Sequence, residues 1–399
     1  MAQDPEELRN QNFKKPISRK ELERRWKAVR QAMEKAKIDC LVIQNNNQHM
    51  GGYVPYFTDY IAEHGYPITV VFPLDGEMTL ITSGGPPSPL GPPEWAVPGV
   101  GERLNIPYFV TFNFTNTWDA EATVNAVKKY GAKSVGFVAP EVMAGFFYAY
   151  LRDNLPGVDK KDATDLVDEI KAVKSDEELE FIRGTIEMQD KVFGATLALI
   201  HPGMRGYELR GEVQRILTYL GSEAQLIMIG SGPATTFVRQ NPLRFQNRMF
   251  QEGDAICIMI EVNGSGGFFA EIGRTICLGD VPKSLQTVWD HAVTAQDRTA
   301  ELMKPGTKPE ELFDKHNKLL ASWGYPLEGR LYAHGQGYDL VERPGICAGE
   351  KMTIKKNMNI TIHPFTLREN AFAFCCDNFF VTDSGAVRIH KTPRELFVI

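Results

Sequence analysis

Two acids and two histidines are the side chains in this sequence best placed to do chemistry. Glu261 and Glu271 flank a glycine-rich stretch, Gly264-Ser265-Gly266-Gly267, with Asn263 between them. The flanking segments, Ile258-Met259-Ile260 and Gly273 to Leu278, read as strands, so Ile258 to Gly279 is expected to form a hairpin. Residues two apart on a strand share a face. Glu261 and Asn263 therefore point the same way, and the hairpin brings Glu271 back beside them. Converging acids can cradle a metal ion or pass a proton. A solvated hairpin whose acids blunt an edge strand accounts for the pair as well.

Imidazole does acid–base work near neutrality and also binds metals. His334 lies in Tyr332-Ala-His-Gly-Gln-Gly337, where glycines let backbone approach a ligand closely. His363 follows the apolar strand Met358 to Ile362 and precedes Pro364. A satisfied core histidine is the ordinary alternative for either one alone. Cys375 and Cys376 fall on the next strand, Phe372 to Thr382, facing opposite sides, so one of them at most can join the site. His291 and His316 lie in helices as packing or surface residues, and His201 ends a helix. His49, His64 and His390 lie in loops, where a surface role and a site role both stay open.

The elements that must carry these residues alternate along the chain. Ser18 with Glu21 makes a capping box before Leu22, Trp26, Val29 and Met33, which recur at helical spacing up to Ile38. A strand at Cys40 to Gln44 follows, then a hairpin of Pro67–Pro73 and Glu77–Thr82 turned at Leu74-Asp75-Gly76. Gly84 to Gly101, rich in proline and holding Trp95, reads as a stiff surface loop or lid. Helix, strand and helix are expected over 119–130, 134–139 and 140–155. Residues 1–165 are thus an α/β domain. Ser175-Asp-Glu-Glu178 starts a long helix to about residue 200, and a second runs from Tyr207 to Tyr219. Strands fill 223–279, helices 282–303 and 308–323, and strands 329–399. The second half, 166–399, is an α+β unit in which a helix pair followed by strands occurs twice.

At 399 residues the chain exceeds a single core, and two domains are expected. A net charge of −6 argues against a nucleic-acid partner. No apolar run approaches the ~20 residues of a membrane span, and the charged N-terminus has no signal-like core. Six scattered cysteines without a CxxC pair suit a reduced, cytoplasmic setting.

The ordered landmarks resemble the creatinase/aminopeptidase P/methionine aminopeptidase superfamily (M24, the pita-bread enzymes). Glu169 to Glu178 resembles the start of its catalytic domain, and Pro202 to Glu208 the segment after its first helix. Gly253-Asp254 resembles the pair preceding the first metal aspartate, and Arg274-Thr275 with Gly279 the motif after the second. Ala333-His-Gly-Gln-Gly337 matches the family's histidine motif, and Ile362-His-Pro364 occupies its glutamate–proline position. Cys376-Asp-Asn to Gly385 resembles its ending.

The resemblance implies a ribonuclease H-like N-terminal domain, a pita-bread catalytic domain and a homodimer whose N-terminal domain lines the partner's site. It also implies two ions held by Asp, Asp, His, Glu and Glu. The corresponding residues here are Glu261 (with one gap allowed), Glu271, His334, His363 and Cys376, and the two acids are one residue closer than in the family. Two readings stay open. Glu271, His334, His363 and Cys376 could hold a single zinc or iron ion. Alternatively, and preferred on the loss of carboxylates, no cofactor binds, and His334 and His363 act with Glu271 and Glu261 as acid and base. The expected activity is creatinase-like hydrolysis of a C–N bond (amide, amidine or urea type) in a small non-peptide substrate. A lyase acting by proton abstraction and a non-catalytic binding module are the alternatives, with Xaa-Pro aminopeptidase last. Creatinase's own base is replaced by Gln240, and its carboxylate clamp maps near Tyr66. Arg239, Tyr338, Arg343, Tyr66 and Trp95 are the candidate substrate contacts.

Overall fold

A computed structural model describes residues 4–62, 65–83, 92–107 and 116–399. His64 and residues 84–91 of the expected lid lie outside them. The chain divides into two compact units, Met1–Lys171 and Ala172–Ile399.

In the N-terminal unit, helices α1 (Pro5–Asn12), α2 (Arg19–Ala36), α3 (Tyr53–Thr58), α4 (Trp118–Lys129), α5 (Gly145–Asn154) and α6 (Thr164–Lys171) pack with six strands. These are β1 (Cys40–Asn45), β2 (Ile68–Pro73), β3 (Met78–Ser83), β4 (Val100–Ile106), β5 (Ser134–Val138) and β6 (Asp159–Asp162), in the order β4-β3-β2-β1-β5-β6. Ser18 Oγ accepts from the Glu21 amide at 3.1 Å and starts α2, whose Leu22, Trp26, Val29 and Met33 are buried as their spacing requires. The expected hairpin forms from β2 and β3, with Gly76 at φ +90° in its turn. Two details differ from the sequence reading. The expected helix over 140–155 is a single tight turn at Pro140–Val142 followed by α5. Strand β6, Asp-Lys-Lys-Asp, has no apolar side chain; its backbone pairs in parallel with β5.

The second unit opens with α7 (Asp176–Leu199) and α8 (Gly206–Leu220). Ser175 and Glu178 form the full reciprocal capping box, and Gly221 at φ +104° stops α8. Strands β7 (Gln225–Pro233), β8 (Asp254–Asn263) and β9 (Phe269–Cys277) then form an antiparallel sheet. Helices α9 (Lys283–Leu302) and α10 (Pro309–Ser322) precede the second sheet. Its strands are β10 (Ala333–Gly335), β11 (Glu342–Gly345), β12 (Asn359–Ile362), β15 (Asp377–Val381) and β16 (Ala386–Arg388), ordered β11-β10-β12-β15-β16. A small hairpin of β13 (Phe365–Arg368) and β14 (Ala371–Phe374) sits between, and β17 (Phe397–Val398) adds to β9. The helix pair followed by strands thus occurs twice.

Both faces of the β8–β9 ribbon are covered, which is why β8 reads as almost continuously apolar. Ile256, Ile258 and Ile260 pack with Val192, Phe193 and Leu209, residues of α7 and α8. Ala255, Cys257 and Met259 pack on the other side with Val288, Trp289 and Phe374. Glu261 continues that second row, at the point where apolar side chains give way to polar ones. The exit strand begins at Phe269, four residues earlier than the sequence suggests, and this sets Glu261 directly opposite Glu271. A two-way backbone bridge between Gly273 and Cys376 (3.1 and 3.2 Å) stitches the two sheets together. A Cβ on Gly273 would meet the Phe374 ring at 2.3 Å, so glycine is what admits this approach.

Candidate metal centre

The bridge at Gly273 places three buried side chains from different strands around one space. Glu271 comes from β9, His334 from β10, and His363 from the residue after β12. Among the described residues, their donor atoms form a group lying within 4.8 Å of one another. His334 Nδ1 lies 2.9 Å from the Gly335 carbonyl. That oxygen can only accept, so Nδ1 carries the proton and Nε2 presents its lone pair. Nε2 stands 3.9 Å from Glu271 Oε2. The His363 ring meets that of His334 edge-on at 5.1 Å, and its buried Nδ1 has no hydrogen-bond partner.

Burial disfavours charge on every member of this group. It lowers His334 to about 4, against the pull of the Gly335 carbonyl and Glu342. It lowers His363 well below the imidazole range, and the neighbouring His334 adds to the effect. Burial raises Glu271 to about 7, with a hydrogen bond from Cys376 working the other way. Glu261 is raised well above the carboxylate range by burial and then by Glu271, while the Gln336 amide opposes the shift. Two neutral imidazoles with free lone pairs, facing the buried carboxyl of Glu271, which ionises reluctantly, make a site that a cation would stabilise. The unpartnered His363 nitrogen and the His334 tautomer fit one divalent ion.

The other expected site residues are placed differently. Cys376 is not in the three-residue group. Its Sγ lies 3.1 Å from Thr361 Oγ1 and 3.7 Å from the Glu271 carbonyl, and burial holds its thiol well above its ordinary value. Arg343 donates to both oxygens of Glu350, at 3.1 and 2.6 Å. Tyr338 is buried against Phe268, with ring centroids 4.3 Å apart. Arg239 is exposed. Tyr66 is exposed and Trp95 half-buried, its ring edge-on to Phe13, and both belong to the N-terminal unit.

Sequence reasoning missed a set of carboxamides. Gln336 Nε2 donates to Glu261 Oε1 at 2.9 Å, and Asn378 Nδ2 donates to Gln336 Oε1 at 2.8 Å. Asn378 Oδ1 accepts from the Glu271 amide at 2.7 Å. Period-two spacing was the available signal: Gln336 lies two residues beyond His334, and Asn378 two beyond Cys376.

The comparisons with known proteins agree with this architecture. The model of metallopeptidase family M24 matches residues 180–392, and the creatinase/prolidase N-terminal domain matches residues 25–173. The chain belongs to metallopeptidase family M24. It is a two-domain hydrolase of that superfamily, with the α/β N-terminal domain and pita-bread domain the resemblance implied. The Xaa-Pro dipeptidase of Pyrococcus horikoshii is 23% identical over 378 residues, covering 93% of this chain and 97% of the relative. That of Pyrococcus furiosus is 26% identical over 243 residues, covering 59% of this chain and 68% of its own. The solved structure of dipeptidase PepE from Mycobacterium ulcerans superposes with a TM-score of 0.76 at 20% identity, covering 96% of this chain and all of the other.

Two expectations are corrected by these findings. A creatinase-like non-peptide hydrolase, with a lyase or binding module behind it and the Xaa-Pro peptidase last, is the wrong order: the relatives named for an activity are peptidases, Xaa-Pro dipeptidases among them. The preference for no cofactor also falls. The family is one of metallopeptidases, and Glu271, His334 and His363 still converge as donors. A histidine in place of a carboxylate changes the softness of a ligand set without abolishing it. Among the described residues, no helix is long and apolar enough to cross a membrane.

Proposed function

We propose that this chain is a metal-dependent peptidase cleaving short Xaa-Pro substrates, with Glu271, His334 and His363 holding a divalent ion. The observation that carries the reading is the convergence of these three buried donors in a chain aligned over nearly its whole length with an Xaa-Pro dipeptidase. Such an ion, when bound, polarises a carbonyl and makes water more acidic.

The chain's own residues do the rest. The Gly335 carbonyl fixes the His334 tautomer and aims its Nε2. Glu261, its carboxylate oxygen held by Gln336, is the group assigned to take a proton from the attacking water and return it to the leaving nitrogen. Phe365 and Phe374, with ring centroids 6.3 and 5.9 Å from that of His363, offer apolar faces to a pyrrolidine ring. Arg239 and Arg343 are the proposed charged contacts, and Tyr338 an aromatic one. Tyr66 and Trp95 are assigned to the rim of a partner's site in a homodimer; light scattering tests the dimer.

The deciding experiment measures proline release from a panel of Xaa-Pro dipeptides, by metal-loaded and chelator-treated protein. Hydrolysis that needs added divalent ion and a C-terminal proline is expected. Equal turnover in chelator, or inertness to the whole panel when loaded, would overturn the reading.

A further inference from the structure

The two acids that face each other across the hairpin do not share a task. Glu271 faces the two imidazoles. Glu261 faces the amide of Gln336, and the roles in that network are fixed by groups with no choice. The Glu271 backbone N–H can only donate, so Asn378 must present Oδ1 to it and Nδ2 outward. That Nδ2 donates to Gln336 Oε1 at 2.8 Å and to Asn359 Oδ1 at 3.1 Å. Gln336 is thereby oriented with Nε2 toward Glu261, and the same nitrogen donates to the Leu340 carbonyl at 3.2 Å. Asn359 closes the circuit by donating Nδ2 to the Gln336 carbonyl at 2.9 Å. Every member is buried.

A cation beside Glu261 would need lone pairs there, and the network turns the Gln336 Nε2–H donor toward it instead. Cys376, at the position resembling the family's last glutamate, sets its thiol 3.1 Å from Thr361 Oγ1 and outside the three-donor group. We infer that the Gln336–Asn378–Asn359 network takes the place of the second cation of the two-ion family, so that the chain holds one ion and Glu261 is not a ligand. This rests on the reading of the three-donor group above.

The test saturates the full-length chain with Mn(II), removes the excess by desalting, and counts metal by mass spectrometry alongside an electron paramagnetic resonance spectrum. One ion per chain with an isolated-ion spectrum is expected. Two ions per chain, or an exchange-coupled spectrum, overturn the inference and leave the three-donor group standing. No ion at all removes that group, and the inference with it. Glu261→Gln, whose Oε1 can still accept from Gln336, keeps the ion with less than the ~10-fold loss of affinity that even a supporting residue costs. Loss of the ion in this variant overturns the inference.

Discussion

Four buried histidines in the second unit divide into two pairs. His334, His316 and His390 are each lowered to about 4, chiefly by burial, and His363 is lowered well below its ordinary value. Lowered basicity is common to all four. His390 is saturated: its Nδ1 accepts from the Asn378 amide at 3.1 Å, and its Nε2 meets Gln189 Oε1 at 2.9 Å. His316 stacks on Tyr332 at 3.8 Å, with both nitrogens unpartnered. His334 and His363 differ in what they face, which is each other and the carboxylate of Glu271. A depressed pKa or an orphaned nitrogen by itself therefore marks burial; an orphaned nitrogen among lone pairs that converge on an acid marks the site.

The largest expected effect tests that division directly. His363→Ala removes a donor from the group and should lower kcat/KM by more than the ~100-fold that a supporting residue costs. Thermal unfolding of the chelator-treated protein should move by only a few degrees. His316→Ala should do the reverse, costing about 1–3 kcal/mol of stability while leaving activity at low temperature near normal. If His316→Ala lost activity and kept its melting temperature, the division would be wrong.

A second test uses pH. His316 sits at about 4 in the folded chain against 6.5 for a free imidazole, so the unfolded chain takes up the proton first. Its neutral form stabilises the fold fully above pH 6.5, and that contribution is lost as pH falls toward 4, then stays flat. The gap corresponds to about 3 kcal/mol at most, at about 1.4 kcal/mol per pH unit. Urea midpoints at pH 7 and pH 5 should draw together in His316→Phe relative to the parent. An unchanged gap would mean that His316 is not the titrating group.

Much of this arrangement was legible in the sequence. The caps at Ser18 and Ser175 and the β8–β9 hairpin followed from spacing and local chemistry, and Glu271, His334 and His363, candidates there and in the family resemblance, lie together in the fold. What was not legible came from pairing between distant strands. The hairpin was expected to bring Glu271 beside Glu261, but starting the exit strand at Gly273 instead of Phe269 left out the strand pairing that sets the two directly opposite. Gln336, Asn359 and Asn378 are scattered polar residues until β10, β12 and β15 lie side by side. His390 does lie in a loop, as read, but its burial and its bond to Gln189, 201 positions away, could not be seen from the sequence. The functional misreading had a different origin. It took the exchange of carboxylates for a histidine and a cysteine as loss of the metal, although imidazole is itself a good ligand.

The smallest expected effect is the most exacting test of the division. His390 is tied by the Asn378 amide to the residue whose Oδ1 receives the Glu271 amide, so it stands one hydrogen-bonded step behind the site. If position in that chain decided function, His390→Gln would behave like His363→Ala. If convergence decides it, His390→Gln should stay within ~10-fold of the parent in kcat/KM, the mild end for supporting residues. It should lose about 1 kcal/mol of stability for an imperfectly replaced buried hydrogen bond, and it should bind the same amount of metal. A glutamine can still accept from the Asn378 amide or donate to Gln189, whereas nothing in it recreates a ring poised between two partners. Equal metal content with modestly lower stability would confine His390 to the scaffold. Loss of the ion would extend the site through Asn378 and merge the two pairs into one.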